Sequence, residues 1–195
     1  MREIDILINE GFASAITDDI MGNDEMTISH DALPVVFSVL GASRVGKWKE
    51  IHSTRISSKK YMRLFLNGRA SKKRDCLIIG KSMGVVEIID YLDEYWPRIH
   101  DYKKIGVVFV DGHSKLLKEI FKKRYGEERN IERLPEWKRN KIQFYNFFQW
   151  DLYPMGASMP QADYNMQLHN TDHFSLIHRP EVLKGIRDMC NWLKK

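Results

Sequence analysis

The stretch DCLIIGKSMGVVEIIDYL, residues 75–92, decides the fold. Cys76–Ile79 is a short apolar run, the length of a strand covered on both faces. Gly80-Lys81-Ser82-Met83-Gly84 follows at once, and beyond it Val85, Val86, Ile88, Ile89 and Leu92 recur at helical spacing. The order is strand, sharp turn, helix, with Gly-x-Ser-x-Gly at the turn. Without Cβ atoms on the flanking glycines, strand and helix can approach closely enough to hold the serine in a strained backbone conformation. The hydroxyl then projects from the end of the sheet. There the N–H of Met83 and the start of the helix face any negative charge that develops.

Outward from this unit, apolar runs of strand length alternate with helical patterns. Strands are expected at Ile4–Asn9, Trp48–His52, Cys76–Ile79, Ile105–Val110, Ile142–Phe148 and Tyr164–Leu168. Helices are expected at Ser57–Leu66, Met83–Tyr95 (ended by Pro97), Ser114–Lys123 and Pro180–Leu193. In the last, Pro180 suits the first turn, and Val182, Leu183, Ile186, Cys190 and Leu193 form the buried stripe. Asp31–Ser43 reads as a helix or, through Val35–Leu40, as a strand. Residues 149–162, rich in Met, Pro and Gly, read as a long functional loop. The alternation predicts an α/β protein: a three-layer α/β/α sandwich around a mostly parallel sheet of about six strands.

With 195 residues the chain suffices for one well-buried core, so 1–195 is read as a single domain. No run approaches the eighteen or so apolar residues of a membrane span, and MREIDILINEGFAS has no long apolar signal segment. The expected compartment is the cytoplasm. The net charge of +5 comes from basic residues scattered among Asp and Glu, which suits a solvated surface better than a nucleic-acid site. Two cysteines, Cys76 and Cys190, make no disulfide framework and read as buried free thiols.

The GKSMG unit resembles the nucleophile elbow of the α/β-hydrolases, and nearly the whole chain resembles a small lipase- or esterase-like member of that superfamily. The resemblance implies a minimal six-strand fold lacking the family's first two strands. It also implies a serine nucleophile followed in chain order by an acid and a histidine. Ser82 would be the nucleophile. His173 lies in a polar loop just before the last helix, where the family carries its base; His178, His113 and His169 are the other options.

Two acids compete. Asp111 ends the strand Ile105–Val110 and Asp151 follows Ile142–Phe148. The commoner family arrangement favours Asp151. Lipases of the pancreatic group carry the acid after the earlier strand, ahead of an aromatic strand and a Gly/Pro loop like those here, and this resemblance makes Asp111 the expected acid over Asp151. Asp172, adjacent to His173, reads as a loop residue. Met83 and Phe12 would supply the oxyanion hole, Phe12 following Gly11 just past the first strand. Glu10 stands where the family has histidine, and a plain turn glycine is the competing reading of Gly11.

These residues together imply a serine hydrolase that cleaves a small-molecule carboxylic ester or thioester through an acyl-enzyme, with no cofactor and no metal. Phe147, Phe148, Trp150, Tyr153, Met155 and Met159 are candidates for an acyl pocket or for ordinary core and rim.

Two alternatives remain. Gly41–Trp48 matches the G-x-x-x-x-G-K of a phosphate-binding loop. Trp48 stands where a magnesium-binding Ser or Thr belongs, however, and the run WKEIHST reads as a strand rather than a helix. A non-catalytic scaffold that has kept the hydrolase fold is the other.

Overall fold

The computed structural model describes residues 3–10, 36, 38–41, 45–52, 58–99, 101–112, 142–152, 155–159 and 162–195. The sheet contains β1 (Glu3–Glu10), β2 (Val45–His52), β3 (Arg74–Lys81), β4 (Ile105–Val110), β5 (Ile142–Phe148) and β6 (Tyr164–Gln167). Its order is β2-β1-β3-β4-β5-β6, and every neighbouring pair is parallel. Helices are α1 (Ser58–Leu66), α2 (Met83–Ile99) and α3 (Pro180–Lys194), with a 3-10 turn at Ser175–His178.

Strand alternation sorts the apolar residues onto two faces. Leu7, Ile78, Val107 and Phe144 pack with Met62 and Leu66 of α1 and with Val85 and Leu92 of α2. Ile6, Leu77, Val108 and Phe147 pack on the other side with Ile186 and Leu193 of α3. Both β3 and β4 are buried almost throughout, as expected of central strands covered on both faces. This is the three-layer sandwich around a parallel six-strand sheet read from the periodicity.

The sequence expectations shift in three places. First, α2 does not stop before Pro97 but runs to Ile99. A proline inside a helix costs about 3 kcal/mol. Here Ile99 is fully buried, its carbonyl accepts the N–H of Tyr102, and Tyr102 is itself fully buried, so core burial offsets the lost helix bond. Second, Leu183 lies at the margin of the α3 stripe, and Gly185 and Met189 complete it. Gly185 is there because a Cβ would run into the Phe147 ring. Third, of the two readings open for Asp31–Ser43, residues 36 and 38–40 take the helical one, and Gly41 follows at φ 71, a left-handed helix terminator. The expected helix Ser114–Lys123 lies outside the described residues.

Trp48 sits in β2, half exposed, and Val45–His52 is one continuous strand paired with β1. Gly46 and Lys47 are therefore strand residues. A phosphate-binding loop needs its Gly-Lys pair at a helix N-terminus, so the 41–48 reading fails on geometry. Both cysteines are buried and free. Among the described residues, no helix is long and apolar enough to cross a membrane.

Candidate active site

All six strands run the same way, so their carboxyl ends form one rim. Central β3 and β4 end alike on it. Ser82, the residue after β3, and Asp111, the residue after β4, both have φ 53. That left-handed conformation is uncommon for residues with a Cβ and must be held by surrounding structure.

The hold is visible. Ser82 N–H donates to Val110 O at 3.1 Å, and Asp111 N–H donates to Phe147 O at 2.7 Å, extending each ladder one residue past its strand. Behind Ser82, Gly80 and Gly84 serve as close-approach positions. A Cβ on Gly80 would press on Ile88, Phe109 and Val85, and one on Gly84 would collide with the Asn9 carbonyl of β1. The start of α2 is therefore seated directly against β1. Met83, its first residue, presents its N–H in the first turn, where helical N–H groups have no partner within the helix.

Asp111 is fully buried and His173 almost so, and His173 Nδ1 lies 2.6 Å from Asp111 Oδ2. Two further donors reach the same carboxylate. Gln149 N–H donates to Oδ1 at 3.1 Å, and Gln149 Nε2 donates to Oδ2 at 3.2 Å. Both oxygens of this carboxylate already accept an amide N–H, so the short contact is a hydrogen bond when the imidazole carries its proton on Nδ1, the tautomer in which Nε2 holds the lone pair.

Asp172 organises the histidine loop. Its Oδ1 accepts the N–H groups of Phe174 at 2.7 Å and Ser175 at 2.8 Å, and its Oδ2 accepts the Ser175 hydroxyl at 2.6 Å. The Ser175 hydroxyl, with help from the two backbone N–H groups, holds this carboxyl below the ordinary range. Leu176 and Ile177 then bury in the core and anchor the 3-10 turn. The elbow touches this loop: Lys81, largely buried, reaches the Phe174 carbonyl at 3.5 Å and stands 5.9 Å from its ring centroid. Among the described residues, Ser82 Oγ and His173 form no hydrogen bond with each other.

The competing residues lie elsewhere. Asp151 is bound to His169 Nδ1 at 3.4 Å and to the Asn170 N–H at 2.8 Å, on the exposed side of the loop. His178 ends the 3-10 turn and is exposed. Phe12, Gly11, His113 and Tyr153 lie outside the described residues. Of the acyl-pocket candidates, Phe147, Phe148 and Met159 are core, whereas Trp150 and Met155 are about half exposed, as are neighbouring Leu152 and Phe174.

Sequence reasoning missed Gln149 and Gly156. Gln149 is fully buried, and a Cβ on Gly156 would fall on Asp111 Oδ1. The available signal was slight: one amide directly after an apolar strand, and one glycine in the loop read as functional.

No protein-family profile matches the sequence, and no curated protein does. Among solved structures, a novel cutinase-like protein from Cryptococcus sp. superposes with a TM-score of 0.49 at 10% sequence identity. The superposition covers 98% of this chain and 93% of that one. Likeness of that order assigns a role to no residue, so the candidate site rests on its own geometry.

Proposed function

We propose that the protein is a serine hydrolase of the small α/β-hydrolase type, cleaving a carboxylic ester or thioester through an acyl-enzyme. The observation that carries the reading is the buried His173–Asp111 hydrogen bond on the same sheet rim as Ser82, whose strained turn enters α2.

In this reading Ser82 Oγ attacks the substrate carbonyl carbon while its proton passes to His173 Nε2. Nδ1–H stays on Asp111, which fixes the tautomer and stabilises the imidazolium that forms. The oxyanion is received by the Met83 N–H at the start of α2, where the helix dipole favours negative charge. Phe12 N–H is the proposed second donor. Collapse of the tetrahedral species breaks the bond to the leaving alcohol or thiol, which takes the proton from Nε2. Water then attacks the acyl-enzyme as the same nitrogen takes its proton, and that proton passes to Ser82 Oγ as the acyl bond breaks and the acid is released. The lack of a Ser82–His173 hydrogen bond is compatible with this sequence of steps, because such bonds often tighten only when substrate binds. The exposed Trp150, Leu152, Met155 and Phe174, on the two loops that flank the Asp111–His173 pair, favour an apolar acyl group.

The same missing hydrogen bond is the observation that favours the second reading, a scaffold that has kept the fold without the chemistry. A fluorophosphonate probe separates the two, since it phosphonylates only an activated serine. An adduct mapped to the peptide containing Ser82, and lost in folded Ser82→Ala, supports the hydrolase. Wild-type protein that stays unlabelled while folded establishes the scaffold.

A further inference from the structure

We propose that Gln149 is a positioning residue whose side-chain amide locks the rotation of the Asp111 carboxylate and thereby aims His173. The inference rests on the hydrolase reading for its consequence in catalysis, but not for its geometry.

A carboxylate held through one oxygen can still swing about its Cβ–Cγ bond. Asp111 is held through both. The Gln149 backbone N–H takes Oδ1 at 3.1 Å, and Gln149 Nε2 takes Oδ2 at 3.2 Å, the oxygen that also receives His173 Nδ1 at 2.6 Å. The amide is itself oriented at both ends. Its Nε2 donates to Leu152 O at 2.8 Å, and its Oε1 accepts the Leu152 N–H at 2.9 Å. Turning the amide over would set Oε1 against Asp111 Oδ2 and Leu152 O, and Nε2 against an N–H. Only one orientation satisfies all three groups.

The loop that carries these groups is pinned in turn. Gly156 N–H donates to Gln149 O at 2.8 Å, and Trp150 Nε1 donates to Gly156 O at 3.2 Å. Buried Asn146 of β5 donates to Ala157 O at 3.0 Å. Gly156 then lies flat against Asp111 Oδ1, where no side chain fits. Gln149 and Gly156 thus form a cradle around one carboxylate. Among the described residues, the titratable groups shown on the amide are Asp111 and, through it, His173; Asp151 bonds to His169 and Asn170.

Two variants test this. Gln149→Met keeps the volume and removes both polar ends. It is expected to lower kcat for a p-nitrophenyl ester about tenfold, the loss of one oriented hydrogen bond, with KM nearly unchanged. It is also expected to speed solvent exchange of the His173 Nδ1–H proton, followed as its far-downfield NMR line. Gln149→Glu keeps the shape but replaces the amide donor with a carboxyl. When protonated, that carboxyl can still donate to Asp111; when ionised, it repels it. The ratio of Gln149→Glu to wild-type kcat/KM is therefore expected to rise as pH falls, which a merely structural role would not produce.

A folded Gln149→Met protein with wild-type exchange at Nδ1–H, or a pH-independent ratio for Gln149→Glu, overturns the inference. Because the NMR line needs no turnover, absence of Ser82 labelling would remove the hydrolase reading and still leave the positioning role decided.

Discussion

Two aspartates are fully buried at opposite ends of the same sheet, and their partners differ in kind. Near the amino end, Asp5 of β1 meets Arg69 Nε at 3.0 Å, Arg74 Nε at 3.3 Å and the Tyr102 hydroxyl at 3.1 Å. Arg74 also pairs with Glu3. At the carboxyl end, Asp111 meets an imidazole and two amide N–H groups. A guanidinium keeps its proton at any ordinary pH, so the Asp5 cluster is a fixed charge pairing that can only hold structure. Imidazole is the side chain suited to proton transfer near neutrality, so in the proposed hydrolase the buried carboxylate beside His173 orients a general base. Burial and hydrogen bonding are alike in the two places. The titratability of the partner separates scaffold from chemistry.

If that contrast is right, the two carboxylates should fail in different currencies. Asp111→Asn is expected to lower ester kcat by roughly 10³- to 10⁴-fold, because the imidazole loses its oriented partner, while unfolding free energy changes less than in the companion variant. That companion, Asp5→Asn, should lower stability by about 3 kcal/mol, moderated by partial exposure of the arginines, and leave kcat near wild type. Urea unfolding alongside ester turnover reads both. Equal loss of activity in the two variants would erase the distinction.

The glycines packed against each carboxylate extend the comparison. Gly156→Ala places a Cβ on Asp111 Oδ1, and a displacement of about an ångström should cost on the order of 100-fold in kcat with KM little changed. At the other end, a Cβ on Gly46 would meet Arg74 Nη2 at 2.9 Å, Glu3 Cβ at 2.9 Å and Asp5 Oδ1 at 3.0 Å. Arg74 Nη2 is a side-chain end that can yield, whereas Glu3 Cβ and the held Asp5 carboxylate must shift by a few tenths of an ångström. Gly46→Ala should therefore cost roughly 1 to 2 kcal/mol of stability and no activity, a smaller effect than either aspartate substitution.

Alkaline pH should probe the amino end between those extremes. Burial first, and then the Asp5 and Asp75 charges, push the Cys76 thiol well above its ordinary 9.0. Burial, followed by Cys76 and Asp5, pushes the Tyr102 hydroxyl far above its ordinary 10.0. A group whose folded value is raised keeps its proton longer in the native state. Its contribution is whole below the unfolded value and is lost as pH rises above it. Stability should then fall from about pH 9 upward by roughly 1.4 kcal/mol per pH unit for each such group. Cys76→Ala should flatten the first part of that decline in urea titrations at about pH 8 to 10.5. An unchanged slope would show that the thiol ionises without opposing the fold.

Much of this was legible in the residues. The apolar runs at 76–79 and 105–110 are strands because nothing but burial on both faces accounts for them. The glycines around Ser82 were readable as close-approach positions, and Gly84 meets the Asn9 backbone accordingly. The passage of α2 through Pro97 was not legible, because the compensating burial of Ile99 and Tyr102 belongs to the packed core. Gln149 was not legible either. An amide after a strand has no period and no neighbour in sequence to mark it.

The chain by itself therefore determined the succession of strands and helices and the strained serine turn, since side-chain periodicity and glycine chemistry act over a few residues. It also marked Asp111 and Asp151, both just beyond strand ends, as candidate partners for a histidine, with Asp111 preferred through the lipase resemblance. Only the tertiary structure decided which carboxylate His173 meets and what orients it. The His173–Asp111 bond joins positions 62 residues apart, and the Gln149–Asp111 bonds join positions 38 apart. Contacts at that separation are set by how the loops at the sheet's carboxyl rim pack together, and no local pattern carries that information.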